Sequence, residues 1–206
     1  MRTLLDISRE IQAISQSGLS FSKDPYDIER FEQLQNIASD LIARHTTHSK
    51  EYIDRVFSVE QGYATPKIDV RGAVFKDQKI LLVKERESAG WTIPGGYVDI
   101  NESLSTAVER EVREESGYAV KAKKVASIFD HRKHGYKKHL YHFYKIYMLC
   151  TLVGGIEKTS IETSEIDFFT EEQLDSLTLD AGRVTKDHIV RMFYHHREQN
   201  TPTDFD

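Results

Sequence analysis

Cysteine is nearly absent from this chain of 206 residues, which contains only Cys150. A single cysteine cannot form a disulfide within the chain, so a disulfide-stabilised scaffold is excluded and a reducing compartment is indicated. Cys150 lies in the apolar run 146–153, where a buried, unreactive strand residue is expected rather than a nucleophile. Long apolar stretches of about 18 residues and a signal-peptide core are also missing. We therefore expect a cytoplasmic protein that does not associate with membranes.

An excess of positive charge is missing as well, because the formal net charge is −5. Without a basic field, broad binding to a nucleic-acid backbone has little electrostatic support. A basic, histidine-rich segment at 131–139 nevertheless leaves local contact with RNA open. The histidines around it resemble a transition-metal cluster only superficially, since no cysteine accompanies them, and surface or phosphate-contacting histidines are favoured. They are His131, His134, His139 and His142.

Residues 1–63 have apolar side chains at helical spacing and predict a small all-helical N-terminal domain. The pattern indicates a first helix that ends near Ser17–Gly18 and a second that starts at Asp24–Pro25. The second helix should fade by Thr46–Thr47, and Ser49 should cap a third. Three short helices bury little area alone, so we expect this domain to pack on the remainder of the chain, on a second copy in a homodimer, or on both.

Residues 67–206 have the pattern of an α/β domain. Alternation at 68–75 and 80–84 around a four-residue turn predicts a β-hairpin. Residues 170–173 have the pattern of a helix-capping box, and the tail 201–206 is expected to be loose. Three further strands and a last helix are predicted at 120–129, 141–153, 166–169 and 186–197.

The most informative segment runs from Gly96 to Tyr118 and predicts a loop followed by a carboxylate-rich helix. Capping residues at 101–103 and Gly117 mark the two helix ends. At about 100° per residue, three glutamates fall within an arc of roughly 100° beside an apolar stripe. They are Glu111, Glu114 and Glu115.

Carboxylates this close raise one another's pKa unless a cation neutralises them. Hard divalent cations such as Mg²⁺ or Mn²⁺ prefer oxygen ligands and remain partly hydrated, which suits a phosphate substrate. The alternative is a solvated helix face whose glutamates pair with Arg110 and Arg113. The preceding glycines, Gly95 and Gly96, and the loop spacing favour the metal site.

The spacing of 96–118 matches the signature of the Nudix hydrolases, G-x5-E-x7-R-E-U-x-E-E-x-G-U, where U is bulky and apolar. Every fixed position agrees, although Tyr118 stands where an aliphatic residue is commoner. The order of predicted elements also resembles the Nudix fold, an α/β/α sandwich around a mixed sheet. A helical domain at 1–63 followed by a Nudix domain at 67–206 is similar to the bacterial group of CDP-choline pyrophosphatases and ADP-ribose pyrophosphatase-like proteins.

The resemblance implies a metal-dependent hydrolase that splits a nucleoside diphosphate linked to X into a nucleoside monophosphate and phospho-X. CDP-choline, giving CMP and phosphocholine, is the favoured substrate, and ADP-ribose follows. An enzyme that processes RNA ends is a further alternative. A non-catalytic, nucleotide-sensing module is disfavoured because all the signature glutamates are present.

The resemblance also implies individual roles. Glu111 and Glu115 would bind metal, with Glu114 sharing the site and the Gly95 carbonyl completing it. Arg110 would orient a glutamate or form a surface ion pair, and Glu102 would brace the loop. The general base would be Glu162 or Glu165 from the loop before the penultimate helix, or a signature glutamate, Glu114 or Glu111. Solvated loop acids are the simpler interpretation of Glu162 and Glu165.

Substrate contacts are the least determined feature. Gly95 and Gly96 would let the backbone approach metal and phosphate closely. Arg71 would meet phosphate oxygens. A choline group or a nucleobase would need aromatic faces, although any of the candidate rings could simply fill the core. The aromatic and histidine candidates are Trp91, Tyr97, Phe129, Tyr136 and His131.

Overall fold

The computed structural model describes residues 3–206, so Met1 and Arg2, the first residues of the predicted helical domain, lie outside the described residues. The chain forms two compact units. The helical unit comprises the residues up to Pro66 together with Lys138–His142, and the sheet unit comprises Lys67–Lys137 and Phe143–Asp206. None of the helices in the described part of the chain has the length and apolarity needed to cross a membrane.

The helical unit contains α1 (Leu4–Phe21), α2 (Pro25–His45) and α3 (Lys50–Ser58). The predicted caps of the later helices are confirmed: the Asp24 side chain accepts two backbone N–H bonds ahead of Pro25, and the Ser49 side chain accepts one. The three helices enclose an apolar cluster that also includes a residue from the 138–142 segment. The cluster consists of Leu5, Ile42, Ile53, Phe57 and Leu140.

The predicted break of α1 at Ser17–Gly18 is wrong, because the helix continues to Phe21. Gly18 lies inside the helix, where a Cβ atom would be 2.4 Å from the ring of Phe31. The glycine therefore permits close approach of α2 rather than ending α1. The helix ends at Ser22, whose N–H donates to the Gly18 carbonyl at 2.8 Å.

The sheet unit contains a seven-stranded mixed sheet whose hydrogen-bonded order is β3-β2-β1-β5-β4-β7, with β6 paired to β2. β1 pairs with β5 in parallel, and the other long pairs are antiparallel. The strands are β1 (Lys67–Lys76), β2 (Lys79–Glu85), β3 (Trp91–Thr92), β4 (Tyr118–Asp130), β5 (Phe143–Gly155), β6 (Thr163–Phe169) and β7 (Asp204–Phe205). The helices are α4 (Leu104–Ser116) and α5 (Lys186–Arg197), with short 3-10 helices at His131–Lys133 and Glu172–Ser176.

Apolar residues cover both faces of the sheet, which confirms the expected α/β/α sandwich. On one face Val74 and Val83 lie in a buried cluster with Val108 and Val112 of α4. On the other face a second cluster joins strand residues to α5 and the segment that precedes it. Its members include Ala73, Ile80, Leu82, Phe169, Leu174, Ile189, Met192 and Phe193.

β1 and β2 separate soon after the predicted hairpin turn. Their paired residues are only Phe75 with Ile80 and Lys76 with Lys79. Residues 94–98 occupy the free edge of β1 instead: the Val70 N–H donates to the Gly96 carbonyl at 2.8 Å, for example. Because these two strands diverge, the segment 94–98, called the glycine loop below, lies beside β1 within the sheet.

Two predictions at the C-terminal end are wrong. Only half of the predicted capping box at 170–173 forms, from the Thr170 N–H to Gln173 Oε1 at 2.8 Å, and the helix there is the short 3-10 helix Glu172–Ser176. The tail is not loose, because Asp204 and Phe205 form β7 beside β4. The Asp204 carboxylate fixes it by accepting hydrogen bonds from Arg191 and from His195, the latter at 2.8 Å.

Candidate active site

The glycine loop requires glycine at two adjacent positions. Gly95 has φ +146°, and a Cβ atom there would lie 2.0 Å from the Val70 carbonyl oxygen. A Cβ atom on Gly96 would lie 2.8 Å from Glu111 Oε1. The loop thus fits between the β1 backbone on one side and a carboxylate of α4 on the other.

Glu115 is buried at the C-terminal turn of α4 and faces this loop. Its Oε2 accepts the Gly95 N–H at 2.9 Å, and its backbone carbonyl accepts the Thr163 hydroxyl at 2.8 Å. Burial raises the pKa of Glu115 to about 8, while the positive charge of Arg71 and the Gly95 N–H oppose the rise. A carboxylate in this position is stabilised as an anion when a cation lies beside it.

Arg110 links the signature glutamates. Its guanidinium donates to both carboxylate oxygens of Glu102 at 2.9 Å, to Glu111 Oε1 at 2.8 Å and to Glu114 Oε2 at 3.1 Å. Burial raises the pKa of Glu111, and Arg110 opposes that rise. Glu102 also accepts the Asp99 N–H at 3.3 Å, so it holds the loop. These contacts are those expected for Arg110 and Glu102, and the functional roles stay predictions.

A buried ion cluster lies on β1 and β5. Arg71 donates to both oxygens of Asp69 at 2.7 Å and to the Ile93 carbonyl at 3.2 Å. Lys145 Nζ lies 3.3 Å from the Asp69 carboxylate, and burial lowers the pKa of Lys145 to about 8. Arg71 is only 2% exposed and is bound to these partners, and its predicted contact with phosphate oxygens stays a prediction.

One aromatic candidate is accessible. Tyr97 is 45% exposed, and its ring meets the edge of Phe143 at 6.3 Å between centroids. His131 is buried and stacks on the other ring of this pair, Phe143, at 4.0 Å. Tyr97 can therefore contact a ligand directly, whereas His131 supports the ring against which it packs.

Of the three other aromatic candidates, Tyr136 is half-buried, whereas Trp91 and Phe129 are packed inside the sheet unit. Tyr136 donates or accepts hydroxyl bonds with Tyr147 at 2.6 Å and with His188 at 2.5 Å. Trp91 and Phe129 belong to the apolar cluster next to α5, each 9% exposed. For Trp91 and Phe129 the structure therefore favours core packing over substrate contact.

The two candidate bases lie in different surroundings. Glu165 pairs with Lys84 Nζ at 2.8 Å, beside the core residue Trp91. Glu162 is exposed and immediately precedes β6, and its negative charge contributes to the raised pKa of Glu85, for which burial is the main cause. The structure thus brings Glu162, rather than Glu165, toward the acidic end of β2.

Sequence reasoning missed Glu85 and Arg183. The Glu85 side chain is 4% exposed, and its Oε1 lies 3.2 Å from Arg183 Nη1 although the geometry is too poor for a hydrogen bond. Arg183 comes from the segment before α5 and also lies 3.8 Å from Asp180. No local sequence signal indicated the pair, because β2 also contains Lys79 and Lys84 and the two partners are distant in sequence.

A groove of about 1090 Å³ runs along the exposed side of α4. Four cationic side chains line it against one acidic side chain, Glu114, so its charge favours an anionic ligand. The lining residues with charge are Arg86, Arg110, Arg113, Glu114 and Lys158.

The side chains at α4 fit a hard divalent ion by the chemistry of their donors. Glu111 and Glu115 supply oxygen atoms, and their burial disfavours the charged form without a counter-ion. In this conformation Arg110 and the Gly95 N–H occupy the carboxylates. Within residues 3–206, no group of three His, Cys, Asp or Glu side chains is already arranged to hold a metal ion.

Comparison with known proteins agrees with this geometry. Residues 65–193 match the model of the NUDIX domain, and residues 2–57 match that of the UDP-X-like N-terminal oligomerisation domain. A Bacillus subtilis protein named "Putative ADP-ribose pyrophosphatase YjhB" is 38% identical over 98% of this chain and 96% of its own length.

Two solved structures are also similar. An ADP-ribose pyrophosphatase from Streptococcus suis is 34% identical, with a TM-score of 0.63, and the match covers 69% of this chain and all of that chain. A UDP-X diphosphatase is 27% identical with a TM-score of 0.63, and the match covers 98% of both chains. The glycine loop, the glutamate helix and these similarities together show that the chain belongs to the Nudix hydrolase family and is a pyrophosphohydrolase.

Proposed function

We propose that this protein hydrolyses the pyrophosphate of a nucleoside diphosphate linked to X with Mg²⁺ or Mn²⁺ as cofactor, and that ADP-ribose is its first candidate substrate. The products would be AMP and ribose 5-phosphate. The observation that carries the proposal is the placement of two partly or fully buried glutamates, Glu111 and Glu115, against the glycine loop.

The proposed ligands of the divalent ion are Glu111, Glu115 and the Gly95 carbonyl, with Glu114 at the edge of the site. When bound, such an ion neutralises phosphate charge and makes a water molecule more acidic. Arg110 keeps Glu111 and Glu114 in place through its bonds at 2.8 and 3.1 Å. Glu162 would accept the proton of the attacking water.

Charge in the sheet unit supports a pyrophosphate substrate. Arg71 and Lys145 exceed Asp69 by one positive charge in their buried cluster. The groove along α4 adds Arg86, Arg113 and Lys158. This positive charge favours an anionic ligand, which would also meet a bound divalent ion.

Lys145 makes Tyr136 and Phe143 poor sites for the choline group of CDP-choline, whereas Tyr97 stays accessible to it. Lys145 Nζ lies over the rings of Tyr136 and Phe143, at 5.0 and 5.3 Å from their centroids. A quaternary ammonium group would have to compete with this internal cation for the same aromatic faces. Two similar proteins also carry the name ADP-ribose pyrophosphatase. CDP-choline, favoured by the sequence alone, stays a prediction to be tested beside it.

The helical unit supports a homodimer. Its match to an oligomerisation domain agrees with several large apolar side chains that are exposed on α1 and α2. They include Leu4, Ile14, Phe21, Tyr26 and Ile37, with exposures from 50% to 69%. A cytoplasmic location and the lack of nucleic-acid binding stay predictions.

The test is a comparison of substrates with the full-length protein. ADP-ribose, a UDP-sugar, CDP-choline, a dinucleoside polyphosphate and a short 5′-triphosphate RNA are each incubated with Mg²⁺ or Mn²⁺, and products are separated by ion-exchange chromatography. We expect AMP and ribose 5-phosphate to form with the highest kcat/KM. A Glu115→Gln preparation controls for contaminating hydrolases.

The result discriminates among the candidates. Preferred release of CMP and phosphocholine would replace ADP-ribose by CDP-choline, and preferred release of UMP would point to a UDP-linked substrate. Absence of hydrolysis of every diphosphate, at any concentration of either metal, would end the proposal.

A further inference from the structure

Arg183 is a cation outside both the signature and the proposed ligand set. Its side chain is 34% exposed, so its guanidinium is only partly covered by Glu85 and Asp180. Arg71, a buried arginine, has its donors committed to Asp69 and Ile93. Arg183 is therefore the better placed of the two arginines to exchange a protein contact for a ligand.

The backbone around Arg183 is fixed closely to β3. The Trp91 N–H donates to the Thr178 carbonyl and the Asp180 N–H donates to the Trp91 carbonyl, both at 2.9 Å. Gly90 lies so near that a Cβ atom there would be 2.7 Å from Asp180 N. The segment thus has little freedom to move relative to the end of β2, which bears Glu85.

Two carboxylates orient the Arg183 side chain. Glu85 is at the C-terminal end of β2 and lies 3.2 Å from Nη1, and Asp180 lies 3.8 Å from Nε. Asp180 is itself fixed, because it accepts the Ser88 hydroxyl at 2.6 Å and the Gly182 N–H at 2.9 Å. Glu85 lies beside Nη1 of the guanidinium and Asp180 beside Nε, and the remaining N–H donors are available to a ligand.

The position of Arg183 relates it to the proposed substrate site. Glu85 pairs in the sheet with Thr163, whose hydroxyl donates to the Glu115 carbonyl at 2.8 Å. Through Glu85 and Thr163, the guanidinium of Arg183 is therefore connected to the last turn of the signature helix.

We propose that Arg183 binds a phosphate oxygen of the substrate's pyrophosphate and that Glu85 is the residue that positions it. The inference rests on the proposed pyrophosphate substrate and adds a recognition residue outside the signature. A planar guanidinium can donate two parallel bonds to phosphate oxygens, which lysine cannot reproduce. Binding would draw Arg183 partly away from Glu85, whose contact at 3.2 Å is poorly aligned in the present conformation.

The test uses imidodiphosphate, a non-hydrolysable pyrophosphate analogue, with Mg²⁺ and isothermal titration calorimetry on the full-length protein. Arg183→Ala should weaken its binding by about 10- to 100-fold, the effect of losing a charge-assisted hydrogen bond. Arg183→Lys should retain part of the affinity. The matched control is Arg197→Ala. It removes the arginine at the end of α5, which pairs with Glu171, and this variant should bind imidodiphosphate as the wild type does.

Glu85→Gln tests the positioning role. It should weaken imidodiphosphate binding less than Arg183→Ala, and it should cause no further loss when combined with Arg183→Ala. The double variant also removes the unpaired buried carboxylate that could prevent Arg183→Ala from folding. In steady-state assays, both single variants should raise KM more than they lower kcat.

Two results would overturn the inference. One is a folded Arg183→Ala protein that binds imidodiphosphate with wild-type affinity, and the other is a fully additive loss in the double variant, which would show that Glu85 acts independently. The binding assay contains no nucleoside, so its result does not depend on whether ADP-ribose is the substrate. Inactivity toward ADP-ribose with Arg183-dependent binding of imidodiphosphate would refute the substrate alone.

Discussion

The carboxylate of Glu115 accepts the backbone N–H of Gly95 at 2.9 Å, which joins the last turn of α4 to the loop that precedes it. The same helix places Glu111 against Gly96, the next residue of that loop. Because each glutamate faces a glycine, the backbone and the two carboxylates converge without an intervening side chain. The first two predictions concern this convergence.

Removing the charge of either proposed metal ligand should impair catalysis far more than folding. We expect Glu111→Gln and Glu115→Gln each to lower kcat by about 10²- to 10⁴-fold, because neutral amides bind divalent cations poorly. Thermal unfolding should change little, and Mn²⁺ affinity measured by electron paramagnetic resonance should fall. Glu109→Gln is the control, since Glu109 lies on the same helix but binds Lys121 and the Ala122 N–H. Near-normal turnover in both ligand variants would contradict the assignment.

Alanine at the two loop glycines should produce different defects. Gly96→Ala places Cβ 2.8 Å from a flexible carboxylate, Glu111, so the fold should persist while Mn²⁺ affinity and kcat fall by about tenfold or more. Gly95→Ala places Cβ 2.0 Å from the Val70 carbonyl and requires φ +146°, so it should destabilise the fold, by on the order of 1–3 kcal/mol from backbone strain alone. Circular dichroism melting curves and metal titrations distinguish the two. Equal losses of stability would show that the predicted contrast is wrong.

Glu162 and Glu165 should differ as candidate bases. Glu165 is paired with Lys84, whereas Glu162 is exposed near the acidic end of β2. We expect Glu162→Gln to lower kcat by about 10²- to 10³-fold and to flatten the rise of kcat with pH, and Glu165→Gln to retain activity. Single-turnover rates across a pH series measure both effects. If neither variant is impaired, a signature glutamate becomes the candidate base.

Buried His188 should make the protein sensitive to acid. Burial lowers its pKa from the usual 6.5 to about 4, and the His134 and Lys145 charges add to this effect. Between pH 6.5 and about 4 the unfolded chain therefore binds a proton that the folded chain does not, so stability falls as the pH falls. The loss should reach roughly 2–3 kcal/mol by pH 4. Urea unfolding from pH 7.5 to 4.5 measures it.

His188→Asn provides the comparison for that series. Asparagine removes the titrating group, so the variant should be less stable at neutral pH but should lose less stability on acidification than the wild type. Parallel curves for the two proteins would assign the acid sensitivity to other groups.

Local patterns predicted much of the fold. The hairpin, the caps at Asp24 and Ser49, and the signature helix with Gly117 at its end depend on residues close together in sequence, and all are present. The errors at Gly18 and at the tail arose because tertiary contacts decided the outcome. Gly18 serves the packing of Phe31, and the tail is fixed by Asp204.

The candidate site was only partly predictable for the same reason. Glu111, Glu115 and the glycine loop form one continuous motif, so their proximity followed from helix geometry. The pair of Glu85 and Arg183 joins distant segments, and nothing local indicates it. Trp91 and Phe129 are aromatic residues of the kind that stack on ligands. Their burial in the cluster next to α5 could be recognised only once the sheet and helix were packed together.

The assignment of residues 138–142 to the helical unit has a practical consequence. The polypeptide passes from one unit to the other at 66–67, at 137–138 and at 142–143, so the units are interleaved in sequence. Leu140 is 3% exposed because Ile42, Ile53 and Phe57 enclose it, and Arg9 donates to the Leu140 carbonyl at 3.2 Å. A fragment that begins at residue 67 would present this leucine to water and leave a loop of the enzyme without its support. Deleting the N-terminal helices would therefore also disturb the segment 138–142, which interrupts the sheet unit in sequence. A chimera that exchanges these helices with those of a relative would need to exchange the 138–142 segment as well.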